Sequence, residues 1–325
     1  MLATAVGIRQ AAAHLRNGRL VAFPTETVYG LGADATNADA VGRVFQAKNR
    51  PAGHPLIIHT ASAAAAFAVG AADPAAARLA ERFWPGPLTL VLPLRSEVGI
   101  ADAVTGGRST VAVRVPRHPV AAALLRAVRR PVAAPSANPH GRLSPTEAQH
   151  VRDELGPAVD LVLDGGPTEI GLESTVLELA GDRPLLLRAG GITVEDLEAA
   201  IGPVDEPGAD EPARAPGMLR QHYAPRTPLR LDADDPLPDE VYLGFGAAPG
   251  ATCNLSPTGD LEEAARNLFV MLRQLDSAGA RRIAVAPIPD HHLGKAINDR
   301  LRRAERGAAS PGGPASLQTV CERPS

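Results

Sequence analysis

Short apolar runs, each ending in polar residues, constrain this chain most. "RLVAF" (19–23), "PLIIH" (55–59), "LTLVLPL" (88–94) and "TVAVRVP" (110–116) are too short for core helices and read as strands. In the last of these, Val111, Val113 and Val115 share one face, while Ala112 and Arg114 share the other. "PVAA" (131–134), "VDLVLDGG" (159–166), "STVLEL" (174–179) and "PLLLRAGG" (184–191) add further strands. Helical periods separate them. Residues 38–48 place Val41, Val44 and Phe45 on one face, with Asn37 or Thr36 available as cap. Further helices are predicted over 74–84, 118–129, after Thr146, and over 193–201 with Thr193 as cap. "PTETVYGLG" (24–32) reads as a polar loop. Strands and helices in alternation make this an α/β protein.

The pattern stops at "GPVDEPGADEPARAPGMLRQHYAPRTP" (202–228), rich in Pro, Gly and acid and without an apolar period. It reads as a linker between a first domain (1–201) and a small α/β C-terminal domain (229–325). In the second domain, "VYLGFG", a helix near 260–276, "RIAVAP" and a helix near 294–305 predict a small parallel-sheet, doubly wound, Rossmann-like module. A length of 325 residues suits two domains. Aromatics are only 3% of the chain, so its cores must be built from Ala, Val and Leu. A net charge of −3 gives no global attraction to nucleic acid or anionic membrane. Cys253 and Cys321 have no metal-type spacing, which suits free thiols in a reducing cytoplasm. No apolar run is long enough to span a membrane, and the first residues do not read as a signal peptide.

Lysine usage singles out one position. Of 33 Lys and Arg side chains, only Lys48 and Lys295 are lysine. Lys48 precedes Arg50, Pro51 and Gly53, where the backbone is shaped. An ammonium is a compact charge with three donors, whereas a guanidinium is a planar fork. Other polar residues gather where strands end: Thr25, Thr27, His59, Thr110, Arg114, Ser136, Asn138, Ser144, Ser174 and Arg188. Ligands in open α/β sheets bind beyond the carboxyl ends of strands. This cationic, hydroxyl-rich set suits an anion with many oxygens. The Pro-Ser-Ala-Asn turn in "AAPSAN" (133–138) would present a hydroxyl, an amide and backbone N–H groups together. The chain lacks a G-x-x-x-x-G-K-[ST] loop, G-x-G-x-x-G, H-E-x-x-H, paired Cys ligands and G-x-S-x-G. "DHH" (290–292) lacks a third spaced ligand, and no metal site is assigned.

Several motifs occur in a familiar order: "FPTETVYGLGADA", "FQAKNRP…PLIIH", "WPGPLTLVL", "TVAVRVPRHP", "APSAN…SPT", "DGG…ESTV" and "LLRAGGIT". Together they resemble the YrdC-like domain of L-threonylcarbamoyladenylate synthases. "APGMLRQHYAP" (215–225) resembles the linker of the two-domain members, and "GKAINDRLRRA" (294–304) a segment of their C-terminal domain. The family generally has a lysine after "PGM", where this chain has Leu219.

The resemblance implies an open, twisted mixed sheet with a concave, electropositive cleft. It also implies a reaction: L-threonine, bicarbonate or CO₂, and ATP with Mg²⁺ give L-threonylcarbamoyladenylate and pyrophosphate. A separate tRNA threonylcarbamoyl transferase would then use the product. On this basis Lys48 and Arg50 would serve the phosphates. Thr110, Ser136, Asn138, Ser144 and Arg188 would line the nucleotide. Thr25 or Thr27, His59, Arg114 and Ser174 would meet threonine, with Arg114 as the carboxylate clamp. Tyr223 on the linker would act as a lid that excludes water. A double-stranded RNA-binding module is the alternative from another class, since a basic cleft could track phosphates without chemistry. The net charge and the interspersed hydroxyls count against it. A carbamoyl-transfer domain of related fold is a third reading, but such domains sit in much larger chains.

Overall fold

The computed structural model describes residues 1–208 and 223–308. Leu219, Cys321 and most of the linker lie outside them. Nine strands form one mixed sheet: β1 (Val21–Pro24), β2 (Tyr29–Asp34), β3 (Ile57–His59), β4 (Leu88–Pro93), β5 (Thr110–Arg114), β6 (Val132–Ala133), β7 (Leu161–Val162), β8 (Thr175–Glu178) and β9 (Leu185–Arg188). Their order is β7-β1-β2-β6-β3-β5-β4-β8-β9. β3 is parallel to β5 and antiparallel to β6, so the sheet is mixed, as the resemblance implied.

The two faces are covered differently. Ile58, Leu90, Val111 and Val113 point to the face that holds the main core, along with helices Ala38–Lys48, Pro74–Phe83 and Ala148–Leu155. On the opposite face, helices Ala5–Arg16 and Pro119–Val128 cover Val21, Phe23, Val132, Ala134, Leu161 and Leu163 at the β1 end. Ile57, Val91, Ala112, Val176 and Leu187 form an apolar floor further along this second face. That partly covered face leaves room for a site.

One expectation is overturned. "YGLGAD" is not loop: β2 pairs antiparallel with β1 through Phe23↔Gly30 and Val21↔Gly32. Gly30 and Gly32 alternate with Leu31 and Ala33, and the two glycines conceal the strand pattern. They are needed for packing: a Cβ on Gly32 would lie 2.8 Å from a ring carbon of Phe23.

The second sheet comprises β10 (Leu229–Arg230), β11 (Glu240–Gly244), β12 (Cys253–Asn254) and β13 (Arg282–Val285), in the order β10-β13-β11-β12. All its pairs are parallel. It is not wound on both faces, however. Helices Leu261–Asp276 and Leu293–Ala308 share one core with Leu229, Leu243, Ile283 and Val285. The other face carries Ala233, Tyr242, Ala284 and Ala286 under loop residues Ala248 and Ala251. Val28, Leu143 and Leu172 of the first domain join the helix-side core, so the two domains share buried apolar surface. Gly171 marks their closest approach: a Cβ there would lie 2.6 Å from the Arg266 carbonyl oxygen. No helix among the described residues is long and apolar enough to cross a membrane.

Candidate active site

The partly covered face carries a partly enclosed cavity. It lies over the sheet rather than beyond the carboxyl ends of its strands. Ile57 and His59 of β3 and Arg114 of β5 line it, together with the β1–β2 turn, the Pro135–Ser136 turn, Glu173, Ser174, Arg188 and Tyr223. Parallel pairing sets His59 directly beside Arg114.

The β1–β2 turn is built from hydroxyls. Thr25 Oγ1 donates to the Val28 carbonyl at 2.7 Å and lies 2.8 Å from Thr27 Oγ1. This holds Glu26 and Thr27 against Arg114. Arg114 pairs with the Glu26 carboxylate at 2.8 Å and donates to Thr27 Oγ1 at 3.0 Å and to the Gly86 carbonyl at 3.2 Å. The sequence pointed to Arg114 as a carboxylate clamp, and Glu26 occupies part of its fork. A guanidinium has five N–H donors, so two remain for a ligand. Burial raises the Glu26 carboxyl most strongly, but Arg114 and the backbone of Glu26 and Arg117 together bring it below its usual range. Burial, reinforced by Arg114, pushes His59 down to about 3, which leaves a neutral ring with one donor and one acceptor.

Arg50 follows the helix Ala38–Lys48, which Asn37 caps and a left-handed Asn49 ends. Its Nη2 donates to the Pro55 carbonyl at 3.1 Å. Its Nε is buried with no hydrogen-bond partner among the described residues. A buried donor of that kind at a cavity marks a place for a ligand oxygen.

Lys48 differs from its expected placement on a phosphate. It is 2% exposed, outside the cavity lining, and donates to the backbone carbonyls of Ser136 and Asn138. Burial, and then Arg50, pulls its pKa well below that of a free lysine. In this structure it shapes the turn that carries Ser136. Asn138 and Ser144 also sit behind the wall. Asn138 Nδ2 donates to the Pro139 and Arg142 carbonyls at 2.9 Å, and Ser144 donates to Glu173. Thr110 shares its sheet face with Ala112 and Arg114, but about 13 Å along β5 from Arg114, outside the cavity lining.

At the other end, Ser174 is held between Thr89 Oγ1 at 2.8 Å and Arg188, which donates to its hydroxyl at 3.1 Å and its carbonyl at 2.8 Å. Tyr223 is buried against the cavity, which Arg188 also lines. Its left-handed backbone (φ 63°) is unusual for a bulky residue. Its ring stacks on Phe269 at 5.8 Å, and the Arg300 guanidinium lies 4.9 Å from the ring centroid. Sequence reasoning missed Glu26, Glu173 and Arg300. All three lie inside quoted motifs, but the partners they meet are distant in sequence.

Among the described residues no group of three or more His, Cys, Asp or Glu could hold a metal. Asp290 of "DHH" instead accepts from Asn298 at 3.1 Å.

Arginines and hydroxyls converge on one buried, partly enclosed space bordered by Tyr223, an arrangement suited to an anion with many oxygens, and the relatives make the chain a nucleotidyltransferase-type enzyme. The Sua5/YciO/YrdC model, described as "Telomere recombination", matches residues 13–190, and the model "Threonylcarbamoyl-AMP synthase, C-terminal domain" matches 192–305. Threonylcarbamoyl-AMP synthase of Pyrococcus abyssi is 44% identical over 319 residues, covering 91% of this chain and 93% of the relative. That of Bacillus subtilis is 44% identical over 324 residues, covering 92% and 93%. The crystal structure of P. abyssi Sua5 complexed with L-threonine superposes with a TM-score of 0.85 at 41% identity, covering 93% of this chain and 94% of that one. The chain belongs to the threonylcarbamoyl-AMP synthase family, in its two-domain form. Its activity is therefore synthesis of the acyl-adenylate used for threonylcarbamoyladenosine modification of tRNA. The RNA-binding alternative is not favoured: Arg114 and Arg188 are buried in a cavity, where a duplex backbone cannot reach them.

Proposed function

We propose that this cavity binds L-threonine and ATP side by side, and that bicarbonate or CO₂ joins them. The neutral threonine amine adds to the carbon of CO₂ to give a carbamate and a proton, or condenses with bicarbonate to give the carbamate and water. A carbamate oxygen then attacks the α-phosphorus of ATP. The bond to the bridging oxygen breaks, and threonylcarbamoyl-AMP and pyrophosphate result. The carrying observation is the convergence of Arg50, Arg114 and Arg188 on one hydroxyl-lined cavity whose lining carboxylate, Glu173, is already paired with Arg300, while Glu26 pairs with Arg114 from behind the lining.

The two remaining donors of Arg114, with Thr27 and neutral His59, suit the threonine carboxylate. Arg50, Ser136 and Arg188 suit the phosphates, where negative charge builds as pyrophosphate leaves. Fixed donors at that point supply most of the rate, as in other phosphoryl transfers. Thr110 extends the same sheet face toward the rest of the nucleotide. Magnesium fits as ATP's companion, carried on its phosphates, because Glu26 and Glu173 are both held by arginines. Tyr223 closes the cavity and keeps water from the acyl-adenylate. A separate transferase, in the same cytoplasmic compartment, would take the product to tRNA.

The test is pyrophosphate release from ATP with Mg²⁺ and bicarbonate, with and without L-threonine, and with serine as control. Release that requires both threonine and bicarbonate is the expected result. Release indifferent to threonine would overturn the assignment.

A further inference from the structure

The segment "GKAINDRLRRA" lies far from the cavity in sequence, yet one of its side chains reaches the cavity wall. Arg300, on the C-terminal helix Leu293–Ala308, is 1% exposed. Its Nε donates to Glu173 at 2.8 Å, its Nη2 donates to the Ala189 carbonyl at 2.9 Å, and its Nη1 pairs with Asp299 at 2.6 Å. Its guanidinium also faces the Tyr223 ring. Three of these partners, Glu173, Ala189 and Tyr223, line or adjoin the site. Glu173 receives Ser144 and directly precedes Ser174. Ala189 directly follows Arg188. Tyr223 lines the cavity with Arg188, which in turn holds Ser174.

From this geometry we infer that Arg300 is a positioning residue of the synthase site, through which the C-terminal domain holds Tyr223, Arg188 and Ser174 in the closed arrangement. The inference rests on reading the cavity as the synthase site. A buried fork that only stabilised the domain interface would need one carboxylate partner. Arg300 instead spans three separate segments that line or close the cavity and stacks on the residue that covers it. A cation over an aromatic face restrains the ring without occupying its hydroxyl.

The experiment compares wild type with Arg300→Lys, Arg300→Met and the double variant Glu173→Gln/Arg300→Met. The double variant removes both charges, so neither is left buried and unpaired. Circular dichroism and thermal melts identify the folded variants. The readouts are threonine-dependent pyrophosphate release, KM for ATP, and the early ratio of AMP to threonylcarbamoyl-AMP after rapid quenching. AMP reports intermediate hydrolysed by admitted water.

A loosened Tyr223 should raise the AMP ratio and KM for ATP in the folded variants by between about tenfold and a hundredfold, the scale expected when reacting groups are misplaced by about 1 Å. Lysine, which keeps the charge toward Glu173 but not the planar fork, should fall between wild type and Met. A purely structural role would lower the active fraction and leave KM and the AMP ratio unchanged, which overturns the inference. So would a folded Arg300→Lys protein with wild-type values, even if both Met variants fail to fold. A wild type with no threonine-dependent release would overturn the synthase reading and this inference with it; an active wild type with indifferent variants overturns the inference alone.

Discussion

Lys48 shows why one of only two lysines persists in a chain that mostly writes arginine. Its ammonium sits on two backbone carbonyls in a niche that is almost wholly buried. A point charge with rotatable donors fits there, whereas a planar fork that must stay charged does not. Replacing it with Met leaves both carbonyls without that donor, at about 1–3 kcal/mol for each unsatisfied group. Lys48→Met should therefore lower the urea midpoint and also weaken activity, because the Ser136 turn loosens. A lysine serving only a phosphate would give lost activity with unchanged or raised stability, and that result would return Lys48 to the phosphates. Histidines set a second expectation at this scale. His59 titrates near 3 and His140 and His150 near 4, because burial disfavours their charged forms. In the unfolded chain each returns to about 6.5. Below that pH the unfolded state binds protons that the folded state refuses, so stability is complete above 6.5 and drains away toward 4. His59 can contribute up to about 1.4 kcal/mol per pH unit across that range, and the half-buried pair less. Glu26 and Glu173 sit below 4.5, so they add nothing between pH 7.5 and 5. Urea midpoints should fall between those two pH values, and His59→Gln should flatten the fall. An unchanged midpoint would show that His59 is not buried in its neutral form.

At the scale of elements, local rules explain what the sequence reveals and what it hides. The helix over 38–48 was legible to the residue because its apolar spacing, its Asn37 cap and its end at Asn49 all agree. "TVAVRVP" was legible because its period of two is clean. β2 was not, since Gly30 and Gly32 carry the face that must approach Phe23 and Ala134 closely, and a glycine face has no apolar signal. The predicted strand over 159–166 shrank to Leu161–Val162, where Asp164 and the two glycines turn the chain away. At the site, cavity-lining hydroxyls and arginines could be seen as polar residues near strand ends. Their division into lining and supporting roles could not be seen. Lys48, Asn138 and Ser144 have the same chemistry as the lining residues, and only tertiary packing puts them behind the wall. The Arg300–Glu173 pair was beyond reach, because it joins residues from two domains.

For the whole molecule, that pair and the shared core determine how the domains come apart. Removing the C-terminal domain would expose Val28, Leu143 and Leu172 and strip Arg300 from a fully buried Glu173. It would also break Arg273 from Glu154 and from the Leu143 carbonyl, and Arg266 from the Glu169 carbonyl. Leaving one partner of a buried ion pair alone costs about 3–5 kcal/mol. The apolar side chains add about 25 cal/mol for each Å² returned to water. A four-stranded sheet with two helices on one face has little stability of its own to set against such losses. The two sheets should therefore unfold together, and calorimetry of the full chain should show one transition. Arg300→Met should convert it to two, with the C-terminal module melting first, because the strongest tie across the boundary is gone. Two resolved transitions in the wild type would mean that the domains are energetically independent, and that closure of the cavity is set by the first domain alone.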